Sequence, residues 1–150
     1  MKLMMLLRSE RFRELFVYGV VGVITTAINW GVYTILSWSC GALFGIPPEN
    51  ALLIAAASVT GWAASVAFAF WANKKYVFRS PGWKLDTLKR EIPEFITARL
   101  LSLGFDVVFM ELAVHMLGMN DKLAKLFSNI IVVILNYFAS KFWIFKKKGS

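Results

Sequence analysis

The chain has 150 residues, 58% of them hydrophobic and 17% charged, with a formal net charge of +8. Soluble domains usually carry roughly 25% charge, and a fold this small leaves much of its surface exposed, so lipid must serve as a second solvent. One cysteine (Cys40) excludes an internal disulfide, and one histidine (His115) without a Cys/His cluster argues against zinc. In a membrane protein, the enrichment of Lys and Arg in cytoplasmic loops accounts for the positive charge, and no nucleic-acid partner is expected.

The first 13 residues mix Leu and Met with Lys2, Arg8, Arg11 and Arg13. The apolar run that follows is too long for a signal core, and no small-residue cleavage pattern ends it. This stretch therefore reads as an amphipathic lead-in to a retained first helix. Four apolar segments follow, at about 15–38, 52–72, 95–117 and 126–145. Each has about 20 residues or slightly more, enough to cross a hydrocarbon core of ~30 Å at ~1.5 Å per residue. Lipid offers no partner to open backbone groups, so these are helices, and they lack the alternation of barrel strands.

The first connection runs through Ser39-Cys40-Gly41 and Gly45-Ile46-Pro47-Pro48-Glu49-Asn50 and has no Lys or Arg. The middle loop is basic, with a turn signal at Ser80-Pro81-Gly82. Beyond it, Trp83, Leu85, Leu88 and Ile92 recur at near-helical spacing among charges, which fits either a short helix on the inner leaflet or a solvated connector. The third connection, 118–125, holds Lys122 and Lys125, and the chain ends in Lys146-Lys147-Lys148. The N-terminal stretch, the middle loop and the C-terminal end hold 4, 6 and 4 Lys/Arg, against 0 and 2 in the other two loops. That asymmetry predicts both termini and the middle loop in the cytoplasm. Trp38, Trp71, Tyr76, Trp83 and Trp143 fall near segment ends, where aromatic rings favour the interface.

An internal repeat is visible. The second segment ends Ala72-Asn73-Lys74-Lys75-Tyr76-Val77-Phe78-Arg79, and the fourth ends Ala139-Ser140-Lys141-Phe142-Trp143-Ile144-Phe145-Lys146. Small, polar, Lys, any, aromatic, β-branched, Phe and basic residues recur in order. The predicted fold is thus an all-α integral membrane protein of one domain, with four transmembrane helices as two tandem hairpins, N-in and C-in. The hairpins are parallel repeats about an axis along the membrane normal.

Polar residues inside the apolar segments are the candidates for function. Arg99 and Asp106 share one face of the third segment about 10 Å apart, too far for direct pairing. Arg99 either snorkels to the headgroups or binds a partner, and Asp106, nearer mid-depth, needs a partner or a ligand. Glu111 and His115, one turn apart, read as a structural pair near the outer interface, with proton carriage as the alternative. Ser65 reads as interhelical glue, and Asn29 and Asn136 as either glue or function. Ala57, Gly61 and Ser65 give small-xxx-small spacings that permit close helix packing. Lys74, Lys75 and Lys141, beside Asn73 and Ser140 and with Arg99 at the same depth, suit a lipid phosphate; ordinary cytoplasmic-side charge is the alternative. No Walker loop, G-x-S-x-G, H-E-x-x-H or acid–base carboxylate pair is present, so neither catalysis nor a cofactor is expected.

The endings quoted above, with Asn136-Tyr137-Phe138 leading into the second, resemble the closing signatures of GtrA-like proteins. The stretch 12–22 resembles that family's opening, and Arg99-Leu100-Leu101-Ser102 to Asp106 a third-helix pattern seen in part of it. The resemblance spans about Arg11 to Lys147, departing where Ser140 replaces the Asn, and Phe142 the second Lys, of the first copy. It implies a four-helix inner-membrane protein of cell-surface polysaccharide synthesis that moves a polyprenyl-phosphate-linked monosaccharide, typically undecaprenyl phosphate glucose, across the bilayer. On that reading Lys74, Lys75, Arg99 and Lys141, with Asn73 and Ser140, hold the phosphate, and Asn29, Asp106, Asn136 and Tyr137 line a polar track for the sugar. A membrane glycosyltransferase is the expected partner. Four helices enclose little volume, and a homo-oligomer would enlarge it. The alternatives are a non-transporting subunit that anchors the glycosyltransferase and a small proton-coupled exporter. Small four-helix exporters typically carry an acidic residue in the middle of the first helix, where this chain has Asn29.

Overall fold

A computed structural model describes residues 2–47 and 49–146, with side chains from Ser9 onward; Pro48, Lys147 and Lys148, named above, lie outside the described residues. All regular elements among the described residues are helical: α1 (Lys2–Phe44), α2 (Ala51–Ala72), α3 (Leu85–Glu111) and α4 (Asp121–Ala139). The last three each run directly into a five-residue π turn, at Asn73–Val77, Leu112–Met116 and Ser140–Ile144. The chain divides into two units, Met1–Arg79 and Ser80–Ser150. α1 packs on α2 in the first and α3 on α4 in the second, giving the two expected hairpins of a four-helix, multi-pass membrane protein.

Three stretches are long and apolar enough to cross a membrane by length and composition alone: Ser9–Phe44, Ala51–Val77 and Asp121–Ile144. α3 falls short of that measure because Arg99, Asp106 and Glu111 interrupt its apolar run. Its role as the fourth segment rests on its pairing with α4.

The helices extend beyond the apolar segments. α1 incorporates the basic lead-in and begins at Lys2 rather than 15. α3 begins at Leu85 rather than 95, so the amphipathic stretch after Gly82 is the first three turns of the third helix, and neither a separate surface helix nor a connector. Pro93 lies inside it, where its ring removes one backbone hydrogen bond. α4 begins at Asp121 rather than 126. At α2 and α4 a capping side chain marks the helix start. Asn50 Oδ1 accepts from the N–H groups of Leu52 and Leu53, both at 3.1 Å. Asn120 Oδ1 accepts from Lys122 at 3.0 Å and Leu123 at 3.4 Å. At the far end of α1, Gly45 adopts φ 62° and returns its N–H to Gly41 O at 3.0 Å, a left-handed helix stop that a side chain would strain.

In the first unit the small-xxx-small spacing is the buried face of α2: Leu53, Ala57, Gly61, Ser65 and Ala69 follow every fourth residue. A methyl on Gly61 would sit 2.7 Å from Asn29 Oδ1 and 2.8 Å from Asn29 O, so α1 and α2 meet at backbone distance there. Ser65 contributes its small size and no interhelical hydrogen bond, since its hydroxyl donates to Trp62 O of its own helix at 2.8 Å. In the second unit α4 buries Ala124, Ser128 and Asn136, and the π turn after it buries Ser140 and Ile144, again along a four-residue ridge.

The two hairpins repeat in detail. At one constant offset Ala57 corresponds to Ala124, Gly61 to Ser128, Asn73 to Ser140 and Val77 to Ile144, and all eight are buried. The π turns close identically, Phe78 N–H on Asn73 O and Phe145 N–H on Ser140 O, both at 2.9 Å. The widened turn folds each Phe back on its own hairpin. Phe78 meets Tyr18 at 6.3 Å between centroids, and Phe145 meets Phe95 at 6.0 Å. In the first helices of the hairpins, Thr25 donates to Val21 O at 2.7 Å and its counterpart Ser102 to Ala98 O at 2.8 Å. Asn29, against Gly61, then corresponds to Asp106, against Ser128.

Candidate functional site

Two π turns carry Asn73, Lys74, Lys75, Ser140 and Lys141, α3 carries Arg99, and the geometry sorts these residues into two groups. Asn73, Lys74 and Ser140 are almost wholly buried, Lys74 at 0% exposure. In this conformation Lys74 does not present its ammonium to a headgroup. Asn73 Nδ2 donates to Ala69 O at 2.7 Å, and its buried Oδ1 has no hydrogen-bond partner. Lys75 is exposed, and Arg99 and Lys141 are half-buried.

Aromatic rings hold these three accessible cations. Lys75 Nζ lies 5.2 Å from the Trp71 ring centroid and 5.3 Å from that of Tyr76. Arg99 Cζ lies 4.6 Å from the Phe95 centroid. Lys141 Nζ donates to Tyr137 Oη at 2.9 Å and sits 5.3 Å from its ring. A ring face steadies a cation by about 0.5–2 kcal/mol without cancelling its charge. Lys75 and Arg99 form no carboxylate ion pair among the described residues, so each keeps its charge for an anion.

Most of the expected polar track is engaged within the second hairpin. Ser102 Oγ lies 2.8 Å from Asn136 Oδ1, joining α3 to α4 in a buried contact. Tyr137 is bound to Lys141. Asp106 Oδ2 pairs with Lys125 Nζ at 2.5 Å, and Asp106 Oδ1 accepts from Ser128 Oγ at 2.6 Å. Arg99 and Asp106 do not pair, as their two-turn spacing required. Lys125 is the partner the sequence reading missed, because it was assigned to the loop before α4. Placed inside α4, it shares a face with Ser128, and that i, i+3 relation was the available signal. Asn29 differs from the other three: no side-chain hydrogen bond engages it among the described residues.

Glu111 Oε2 and His115 Nδ1 lie 3.3 Å apart, and both side chains are largely exposed. Among the described residues no group of three or more His, Cys, Asp or Glu side chains could hold a metal.

The model of the GtrA/DPMS transmembrane domain family matches residues 17–145. The chain belongs to that family. Its relatives include the membrane protein YwcD of Bacillus subtilis, 36% identical over 130 residues, covering 87% of this chain and 94% of that protein. The cell wall teichoic acid glycosylation protein GtcA of Listeria monocytogenes is 36% identical over 142 residues, covering 93% and 90%. GtcA of Listeria innocua is 37% identical over 140 residues, covering 92% and 88%. No solved structure matches the chain.

Proposed function

We propose that this GtrA-family protein serves the glycosylation of a cell-surface polymer by passing a polyprenyl-phosphate-linked monosaccharide across the cytoplasmic membrane. The observation that carries this reading is the presence, in each hairpin, of accessible cations held on aromatic faces: Lys75 in the first, Arg99 and Lys141 in the second. Cations at headgroup depth attract a lipid phosphate, and the arginine can meet two phosphate oxygens at once. The names of the Listeria relatives place them in teichoic acid glycosylation, which supports a wall polymer as the eventual acceptor. The prenyl tail stays in lipid throughout, so the protein shelters only the headgroup. It performs no covalent chemistry itself; a membrane glycosyltransferase loads or unloads the sugar.

The test is translocation by purified protein in liposomes. A labelled polyprenyl-phosphate hexose loaded on one leaflet should become accessible to a membrane-impermeant periodate reagent on the other, at a rate that scales with protein. Binding without translocation would instead assign the chain to the anchoring role. Proton movement that accompanies an unrelated substrate would make it an exporter.

A further inference from the structure

The first hairpin holds a cavity of about 560 Å³ lined by Asn29, Trp30, Tyr33 and Thr34 of α1 and Ser58 and Trp62 of α2. Ser58 and Trp62 lie roughly 10 and 17 Å along α2 from its start, at ~1.5 Å per residue, which is near the middle of a ~30 Å hydrocarbon layer. Two features are unexpected at that depth. Tryptophan favours the headgroup interface, yet two line this cavity, and Trp30 is 75% exposed. The second concerns hydrogen bonding. Four other hydroxyls of this hairpin fold back on their own helix: Thr25 on Val21 O, Thr26 on Gly22 O, Thr60 on Ala56 O and Ser65 on Trp62 O. Asn29, Tyr33, Thr34 and Ser58 make no side-chain hydrogen bond among the described residues. Hydrocarbon cannot satisfy them, and an unsatisfied polar group there is costly. Their partner therefore lies outside this hairpin.

The lining identifies the chemistry of that partner. Three hydroxyls and a carboxamide offer donors and acceptors in several directions. The indole faces offer broad apolar walls for ring C–H groups. None of the six residues carries a charge. A ligand dense in hydroxyls, with an apolar ring face and no charge, meets all three conditions. We infer that this recess is the binding station of an uncharged monosaccharide headgroup midway across the membrane, and that it discriminates against uronic acids and free amino sugars. This rests on the proposed function for the source of the sugar and adds to it the place and the selectivity. The track residues expected in the second hairpin, Asp106, Asn136 and Tyr137, are engaged internally, whereas Asn29 in the first is not.

The experiment uses the full chain in lipid nanodiscs and two kinds of probe. The first is a photo-reactive alkyl hexoside without phosphate, competed by the alkyl hexoside and by the matching alkyl hexuronide. The hexoside should compete at least about tenfold better than the hexuronide, and Ser58→Ala or Trp62→Leu should each weaken labelling about tenfold, the effect of one or two lost neutral contacts. Ser58 is exposed, so its variant keeps the fold even if the tryptophan variant does not. The second probe is bare polyprenyl phosphate, whose affinity should be unchanged in Ser58→Ala. If the hexoside labels the recess but no phosphate lipid binds, the sugar station stands and the translocase reading falls. If phosphate lipids bind and the hexoside neither labels nor competes, the translocase reading stands and the station is overturned. Equal competition by hexoside and hexuronide also overturns it. So does efficient cross-linking of Ser58→Cys between copies in the native membrane, which would put a second chain in the recess.

Discussion

At the scale of single residues, charge inside the membrane is tolerated here by two different means. Asp106 is compensated by Lys125 and Ser128 across the second hairpin, whereas Arg99 lies on a ring face and keeps its charge. The two should respond differently to neutralisation. Arg99→Gln and Lys75→Gln should each weaken the affinity for polyprenyl phosphate by about 1–3 kcal/mol, the range for a charge-assisted hydrogen bond. Lys84→Gln, an exposed position in the basic loop, should leave it unchanged. Equilibrium binding to the purified variants would check this, and equal, negligible effects at all three would reduce the cations to topology signals. Asp106→Asn should act on stability. Lys125 is nearly half exposed, so the loss is discounted to about 1 kcal/mol. The double variant with Lys125→Met should be less destabilised than the two single variants added together, as a double-mutant cycle on detergent melting would read. The need for a partner at Asp106 could be inferred from its depth in the apolar run. The partner's identity depended on where α4 starts, which the hydropathy of 126–145 concealed.

At the scale of elements, each hairpin is built on a ridge of small residues at every fourth position, ended by a π turn that turns a Phe inward. Gly61 is the closest approach. Gly61→Ala would drive a methyl into Asn29 O at 2.8 Å and should cost about 1–3 kcal/mol by forcing α1 from α2. Gly104→Ala meets nothing within 4 Å and should be neutral or stabilising by up to about 1 kcal/mol from helix propensity. The contrast in melting temperature between two chemically identical substitutions isolates the packing term. The matched endings of α2 and α4 were legible as a repeat of residue types. That both form π turns was not, since the residue types do not encode the widened turn that sets Phe78 against Tyr18 and Phe145 against Phe95.

At the scale of the whole molecule, the chain is a four-helix membrane protein of two repeated hairpins, and its charge distribution predicts its orientation. A reporter active only outside the cytoplasm should be active when inserted after Ile46 and silent when inserted after Gly82. The reverse pattern would turn the basic π turns to the outer face and remove the physical basis for binding the cytoplasmic form of the lipid.

Four apolar runs, their lengths and the distribution of Lys and Arg were enough to identify a four-helix membrane protein in two hairpins, because lipid thickness and the cost of open backbone act on composition alone. The paired endings were enough to place the chain near its family, which the match over residues 17–145 then showed. Which polar groups are spent on packing and which are left to bind depended on tertiary structure. Asn136 and Tyr137 are held by Ser102 and Lys141, Lys74 is buried, and Asn29 and Ser58 line an open cavity. In sequence these residues are alike, polar side chains in apolar helices. Only the facing helix determines whether a hydrogen bond is already made, and that depends on helix start, rotation and approach distance, none of which hydropathy encodes.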